Sequence, residues 1–235
     1  MPEYVPTPPE RPSLPMVGSD ARFAVRRLFC VGRNYAAHAR EMGNDPEREP
    51  PFFFMKPADA LLDDGATMPY PPQTEDLHHE IELVVAIGIG GADIAIEDAM
   101  THVFGATVGL DMTRRDLQGA AKKLGRPWDL GKGFDASAPI AALRRIEDVA
   151  SLSTGRIWLD VNGERRQEGD LADQVWPVPA LIAELSRSVR LAPGDLIMTG
   201  TPAGVAAVRE GDVMEGGIDG IGTIRTPIGV RRHGR

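Results

Sequence analysis

The 235-residue sequence has a single cysteine, Cys30. That excludes an intrachain disulfide and a zinc site built from several thiolates, and it suits a reducing compartment. No apolar run approaches the ~18 residues of a membrane-spanning helix. The first residues lack the basic start and apolar stretch of a secretory leader. Basic residues are the minority charge: 26 Lys and Arg against 34 Asp and Glu leave a net charge of −8. A nucleic acid or an anionic membrane would call for the opposite balance. Also missing are the dinucleotide glycine fingerprint, the Gly-x-Ser-x-Gly nucleophile turn and the His-Glu-x-x-His zinc motif. These absences leave a soluble, cytoplasmic globular protein whose partner is a small molecule.

Glycine and proline are abundant, at 26 and 20 residues, which predicts many turns and argues against an all-helical bundle. Six prolines between Pro2 and Pro15 predict a poorly structured arm over residues 1–20, able to lie on the body as extended chain. Residues 21–235 then read as one domain of a length able to bury its own core. Short buried strands are expected at Arg27–Val31, Phe52–Met55, Ala106–Leu110 and Asp195–Thr199. A strand from Glu80 to Gly88 starts in alternation and ends in a continuous apolar run, as if buried at its far end. Helices are expected at Asn34–Met42, at Glu97–Phe104, from an N-capping Thr113 to Lys123, and at Val178–Val189. Asn162-Gly163 predicts a type I′ hairpin turn, and Gly211–Gly222 reads as turn-dense. The order is mixed α+β.

Glu80 and Glu82 stand two apart on the predicted strand and so project from one face, together with His78. On spacing alone they suit a solvated strand edge. Leading straight into a buried run, they suit a cation site, because two close carboxylates repel unless protonated or bridged. Oxygen-only ligation favours Mg2+, Mn2+ or Ca2+ over zinc. Asp111, at the end of another apolar strand, is either a helix cap or a third carboxylate for that site. His38 and Glu41 share a helical face at i, i+3: a surface ion pair, or an imidazole oriented for general-base work. Lys132 lies between glycines, which marks a turn or a close approach to ligand. Arg115 and Gln118, also i and i+3, are solvated helix residues or a joint grip on a substrate oxygen. Gly200-Thr201-Pro-Ala-Gly204 offers backbone N–H groups and a hydroxyl to an anion. Cys30 reads as a core residue.

Taken in order, Cys30-Val-Gly-Arg-Asn-Tyr-Ala-Ala-His38, Phe54-Met-Lys-Pro57, His78-His-Glu-Ile-Glu-Leu83, Leu110-Asp-Met-Thr-Arg-Arg-Asp-Leu-Gln118, Gly131-Lys-Gly-Phe134, Val161-Asn-Gly-Glu164 and Gly194–Val205 resemble the fumarylacetoacetate hydrolase superfamily. Within it the chain is most similar to the short acylpyruvases, the bacterial fumarylpyruvate hydrolases among them. The resemblance implies a mixed β-sandwich-roll, a homodimer, and a divalent metal, Mg2+ or Mn2+, held by Glu80, Glu82 and Asp111. It implies His38 and Glu41 as the catalytic dyad, Lys132 as a further catalytic group, and Arg115, Gln118 and Thr201 around the substrate. Arg33-Asn34 stands where the longer enzymes carry a fourth metal carboxylate, which favours the three-carboxylate pattern. The implied reaction is hydrolysis of a 2,4-dioxo acid, with fumarylpyruvate giving fumarate and pyruvate in aromatic catabolism. Metal-dependent decarboxylation of oxaloacetate and keto–enol isomerisation are the alternatives on this scaffold. A fumaryl tail carries a carboxylate, for which Arg33, Arg40 and Arg126 are the candidate partners.

Overall fold

The computed structural model describes residues 5–7, 9–37 and 50–231. Its centre is a curled mixed sheet of eight strands. Along the main path these are Phe52–Lys56, Arg27–Gly32, Asp195–Met198, Ile81–Ile87, Val103–Leu110, Ala138–Ile140 and Leu61–Asp63; Arg144–Arg145 pairs alongside Val103–Leu110. A second sheet orders Glu164–Asp170, Arg156–Val161, Val213–Ile218, Gly222–Gly229 and Met68–Pro69. A small third sheet brings Thr113–Arg114, Leu77–His78 and Ala207–Val208 together. This is the mixed α+β roll expected.

The strand Ile81–Ile87 is buried along its whole length, not only at its far end. The reason lies in its neighbours. Leu83, Val85 and Ile87 feed one apolar cluster while Val84 and Ala86 feed another, so both faces are covered. A strand packed on both faces reads as a continuous apolar run. The second cluster is closed by Leu14 and Val25. That burial corrects the expectation for the N-terminal arm: Ser13–Met16 and Ser19–Ala24 form an antiparallel hairpin, with Leu14 inaccessible to solvent. Pro15 is tolerated because this two-stranded sheet is all edge.

Three further expectations are corrected. Glu97–Phe104 does not form an α-helix: Ala99–His102 make one 3-10 turn and the chain enters a strand at Val103. Thr113 does not cap a helix. It sits in a strand, its hydroxyl donates to the Asp111 carbonyl at 3.1 Å, and the helix begins two residues later as Arg115–Lys123. Gly211–Gly222 is mostly the strand Val213–Ile218, where Gly216 admits the neighbouring sheet: a Cβ there would meet Ile81 Cδ1 at 2.4 Å. The helix Val178–Ser188 buries Val178, Leu181, Ile182 and Leu185, a single stripe at helical spacing. Asn162 and Gly163 both take positive φ, as the hairpin turn requires.

Candidate active site

The register of the central strands places the acidic groups. Ile81 pairs with Leu110, and the Asp111 amide then donates to the Glu80 carbonyl at 2.8 Å. Glu80 and Asp111 are thereby held at the same end of adjacent strands, with Glu82 one pleat repeat along. All three are buried, at 5%, 1% and 1% exposure for Glu80, Glu82 and Asp111, so the solvated-edge reading falls. One oxygen from each carboxylate lies within 4.8 Å of the others.

Three carboxylates at this distance, out of water, need positive charge. Lys132 supplies some of it from the short helix Asp129–Lys132: its Nζ donates to Glu80 Oε2 at 2.8 Å and to Asp111 Oδ2 at 2.6 Å. Lys132 is thus buried at the end of a helical turn. Burial works against its ammonium, but Asp111 and Glu80 outweigh that and hold its pKa above the usual lysine range. Arg115 ion-pairs with Glu80 Oε1 and donates to Gln118 Oε1 at 2.7 Å, so the i, i+3 pair is hydrogen-bonded across one helical turn. Lys56, which sequence reasoning did not single out, lies beneath: its Nζ is 2.9 Å from Asp111 Oδ1 and donates to the carbonyls of Met112 and Lys132. Its only signal in the sequence is a lysine directly after a predicted buried strand.

Glu82 has less help. The Gly200 amide donates to its Oε2 at 2.8 Å. Burial pushes its pKa well up, and repulsion from Asp111 and Glu80 adds to that, against the weaker pull of Lys132 and the Gly200 amide. An unrelieved buried carboxylate beside two others is the mark of a site that takes a cation. The all-oxygen donor set of Glu80, Glu82 and Asp111 fits a divalent metal such as Mg2+ or Mn2+.

Other residues hold this arrangement from behind. His78 does not join the carboxylates. Its Nε2 donates to Asp76 Oδ1 at 2.9 Å and its Nδ1 faces the Arg115 Nε at 3.4 Å, so it props the guanidinium. His79 points the other way, as its parity requires, and is buried against Gln167. Gln167 was also missed: its Oε1 accepts from His79 Nδ1 at 2.8 Å and from the Ile81 amide at 3.1 Å, and its Nε2 donates to Thr201 Oγ1 at 2.8 Å. It fixes Thr201 with its hydroxyl proton free to point elsewhere. Asn34 takes no part as a ligand but is fully buried, accepting from the Trp176 amide at 2.7 Å and donating to the Thr199 carbonyl at 2.8 Å. Cys30 is buried, and burial raises its thiol pKa, so it is a core residue.

A cleft opens over the acidic cluster. Glu80, Glu82, Arg115, Gln118, Lys132 and Thr201 all line it, together with Arg33, Lys122 and the rings of Phe52, Phe54 and Trp128. Arg126 is exposed and absent from that lining. His38, Arg40 and Glu41 lie outside the described residues.

Residues 27–229 match the fumarylacetoacetate (FAA) hydrolase C-terminal family. The chain belongs to that family. One solved structure of similar fold is fumarylpyruvate hydrolase of Pseudomonas aeruginosa, in complex with Mn2+ and pyruvate. It is 52% identical, with a TM-score of 0.95 over 97% of this chain and 100% of the other. Among family members of curated function, a mitochondrial oxaloacetate tautomerase of Rattus norvegicus is 42% identical over 203 residues, 86% of this chain and 91% of that protein. A mitochondrial oxaloacetate decarboxylase of Dictyostelium discoideum is 42% identical over 199 residues, 84% of this chain and 91% of that one. The family is one of metal-dependent enzymes, and the buried triad Glu80, Glu82 and Asp111 is able to bind a divalent metal. No helix among the described residues is long and apolar enough to cross a membrane.

Proposed function

We propose that this protein is an acylpyruvate hydrolase, cleaving fumarylpyruvate to fumarate and pyruvate in aromatic catabolism, and acting as a cytoplasmic homodimer. The observation that carries the reading is the full-length likeness to a fumarylpyruvate hydrolase that binds Mn2+ and pyruvate, at 52% identity, joined to a buried three-carboxylate set in the corresponding fold.

Bound by Glu80, Glu82 and Asp111, a divalent cation supplies a Lewis acid for the substrate's 2-oxo acid head. The protein's own groups do the rest. Arg115 brings positive charge to the head carboxylate, and Gln118, which lines the cleft and whose carbonyl oxygen is taken by Arg115, has its amide N–H groups to donate. Thr201 has a hydroxyl proton to donate, since its oxygen already accepts from Gln167. His38, oriented by Glu41, takes a proton from water as the water oxygen bonds to C4. Lys132 has three N–H donors, two of them held by Glu80 and Asp111, and the third serves the oxyanion at C4. The C3–C4 bond then breaks, its electron pair passes to the pyruvate enolate, and His38 returns its proton to C3.

A second reading, oxaloacetate tautomerisation or decarboxylation, is favoured by the two mitochondrial relatives at 42% identity. It uses the same head-binding groups and needs no attacking water. Fumarylpyruvate and oxaloacetate offered in parallel, with and without EDTA, separate the two. Fumarate and pyruvate from the first, abolished by EDTA, support hydrolysis. Consumption of oxaloacetate alone would sink it.

A further inference from the structure

The cleft carries more positive charge than the acidic cluster and a head carboxylate call for. Lys132 and Arg115 are committed to Glu80 and Asp111. Lys122, one turn from Gln118 on the same helix, also lines the cleft, and no carboxylate pairs with it among the described residues. Its ammonium lies instead over the Trp128 ring, 4.9 Å from the centroid. The Arg33 guanidinium lies 5.4 Å from the Phe52 centroid. The rings brace one another: Phe52 meets Trp128 edge to face at 5.3 Å, and Phe54 meets Trp128 at 5.6 Å.

An aromatic face holds a cation without neutralising it. A carboxylate partner would fix the same side chain and cancel its charge. Mounting Lys122 on Trp128 therefore keeps a full positive charge directed at whatever enters the cleft. The surroundings of Lys122 are themselves cationic. Burial lowers its pKa first, and Arg115, Arg33 and Lys132 lower it further, with only Glu80 opposing. An incoming anion would relieve that repulsion.

We infer that Lys122, seated on Trp128, is a specificity-determining residue that selects substrates with a carboxylate at the far end of the acyl tail. The inference rests on the acylpyruvate reading and sharpens it. The preferred substrate is a dicarboxylic 2,4-dioxo acid, with one carboxylate at the head over the triad and one at the tail beside Lys122. Arg126, exposed and away from the cleft, takes no part.

The test compares fumarylpyruvate with acetylpyruvate, whose tail ends in methyl, on the full-length Mn2+-loaded protein. A charge-assisted hydrogen bond to the tail predicts that Lys122→Met lowers the fumarylpyruvate-to-acetylpyruvate ratio of kcat/KM about ten- to hundredfold. Most of that loss should appear in KM, and Lys122→Arg should restore the larger part. The Met side chain keeps the packing on Trp128, so a merely structural role would depress both substrates alike and leave the ratio where it was. Calorimetric binding of intact fumarylpyruvate is run in parallel in a His38→Ala background, with and without Lys122→Met. An unchanged ratio together with unchanged affinity overturns the inference while leaving hydrolysis standing. No hydrolysis of either substrate by the unaltered protein, with fumarylpyruvate affinity still dependent on Lys122, overturns hydrolysis and upholds the tail subsite. Absence of both hydrolysis and affinity overturns both.

Discussion

Replacing Glu82 with Gln separates the role of that side chain in metal binding from its role in the fold. Gln is isosteric, and its carbonyl oxygen can still accept from the Gly200 amide that now donates at 2.8 Å. What is lost is one buried negative charge facing Asp111 and Glu80. In metal-free protein that charge is a burden. Glu82→Gln is therefore expected to melt no lower than the unaltered chain. The burden also has a pH signature. With the folded pKa of Glu82 raised above its unfolded value, the folded state binds more protons between the two, so stability falls as pH rises through that window. The gap in favour of the variant should widen from pH ~4.5 upward.

With metal the order reverses. A ligand at a hundred times its Kd stabilises by about 2.7 kcal/mol. A chain of 235 residues unfolds with an entropy of about 0.5 kcal/mol/K, so the unaltered protein should gain about 5 °C in Tm. If loss of one carboxylate weakens binding a hundredfold, the same Mn2+ concentration gives only about 0.4 kcal/mol, less than 1 °C. Differential scanning fluorimetry over a Mn2+ titration, with EDTA as the metal-free reference, reads both effects. A variant that keeps the 5 °C rise, or that melts several degrees lower in EDTA, would refute the account of Glu82 as a metal-directed carboxylate.

Three other outcomes are expected. His38→Ala should keep the full Mn2+-induced rise in Tm and lose about 10²–10⁴ in kcat with fumarylpyruvate; steady-state kinetics near the unaltered rate would remove the dyad from the mechanism. Asn34→Ala leaves the Trp176 amide and the Thr199 carbonyl without their buried partner, and should cost about 2–4 kcal/mol in urea unfolding. Burial holds the His79 pKa down to about 4, against the raising effect of its bond to Gln167. The neutral ring is then favoured in the fold, and stability is lost as pH falls from about 6.5 toward 4, by roughly 3 kcal/mol in all. His79→Gln cannot titrate, so its urea midpoint should fall less steeply over that range; equal slopes would show that another group controls the acid limb.

The elements that were legible in the sequence are those whose burial is local. Phe52–Lys56 and Asp195–Met198 announce themselves as short apolar runs, and Val178–Ser188 as a stripe at helical spacing. The hairpin at Asn162-Gly163 is legible because type I′ turns demand residues that accept positive φ. What escaped depends on partners distant in sequence. The hairpin Ser13–Ala24 is ordered by Leu14 entering a cluster with Val84 and Leu196, which its prolines do not hint at. Thr113 has the chemistry of a cap, but pairing with His78 takes it into a strand. In the site, the carboxylates were legible from period-two spacing and strand ends. Lys56 and Gln167 were not, because each reaches the site from another strand, 55 residues before Asp111 and 34 before Thr201 respectively.

The two readings of the reaction divide the site in a way that the geometry makes physical. Hydrolysis of an acylpyruvate, decarboxylation of oxaloacetate and its tautomerisation all pass electrons into an enolate of a 2-oxo acid. Each therefore needs the same head grip: three carboxylates for a cation, with Arg115 and Lys132 to balance the charge. The triad, for all its burial, cannot discriminate among them. Discrimination falls to groups placed further from the head. Activation of an attacking water, the task proposed for His38, belongs to hydrolysis alone, and oxaloacetate is too short to carry a second carboxylate out to an acyl tail. A cation kept unneutralised on Trp128 within the cleft has no evident use for that shorter substrate. Lys122 thus favours the longer one, and altering it should change which substrate is chosen before it changes whether the head chemistry runs.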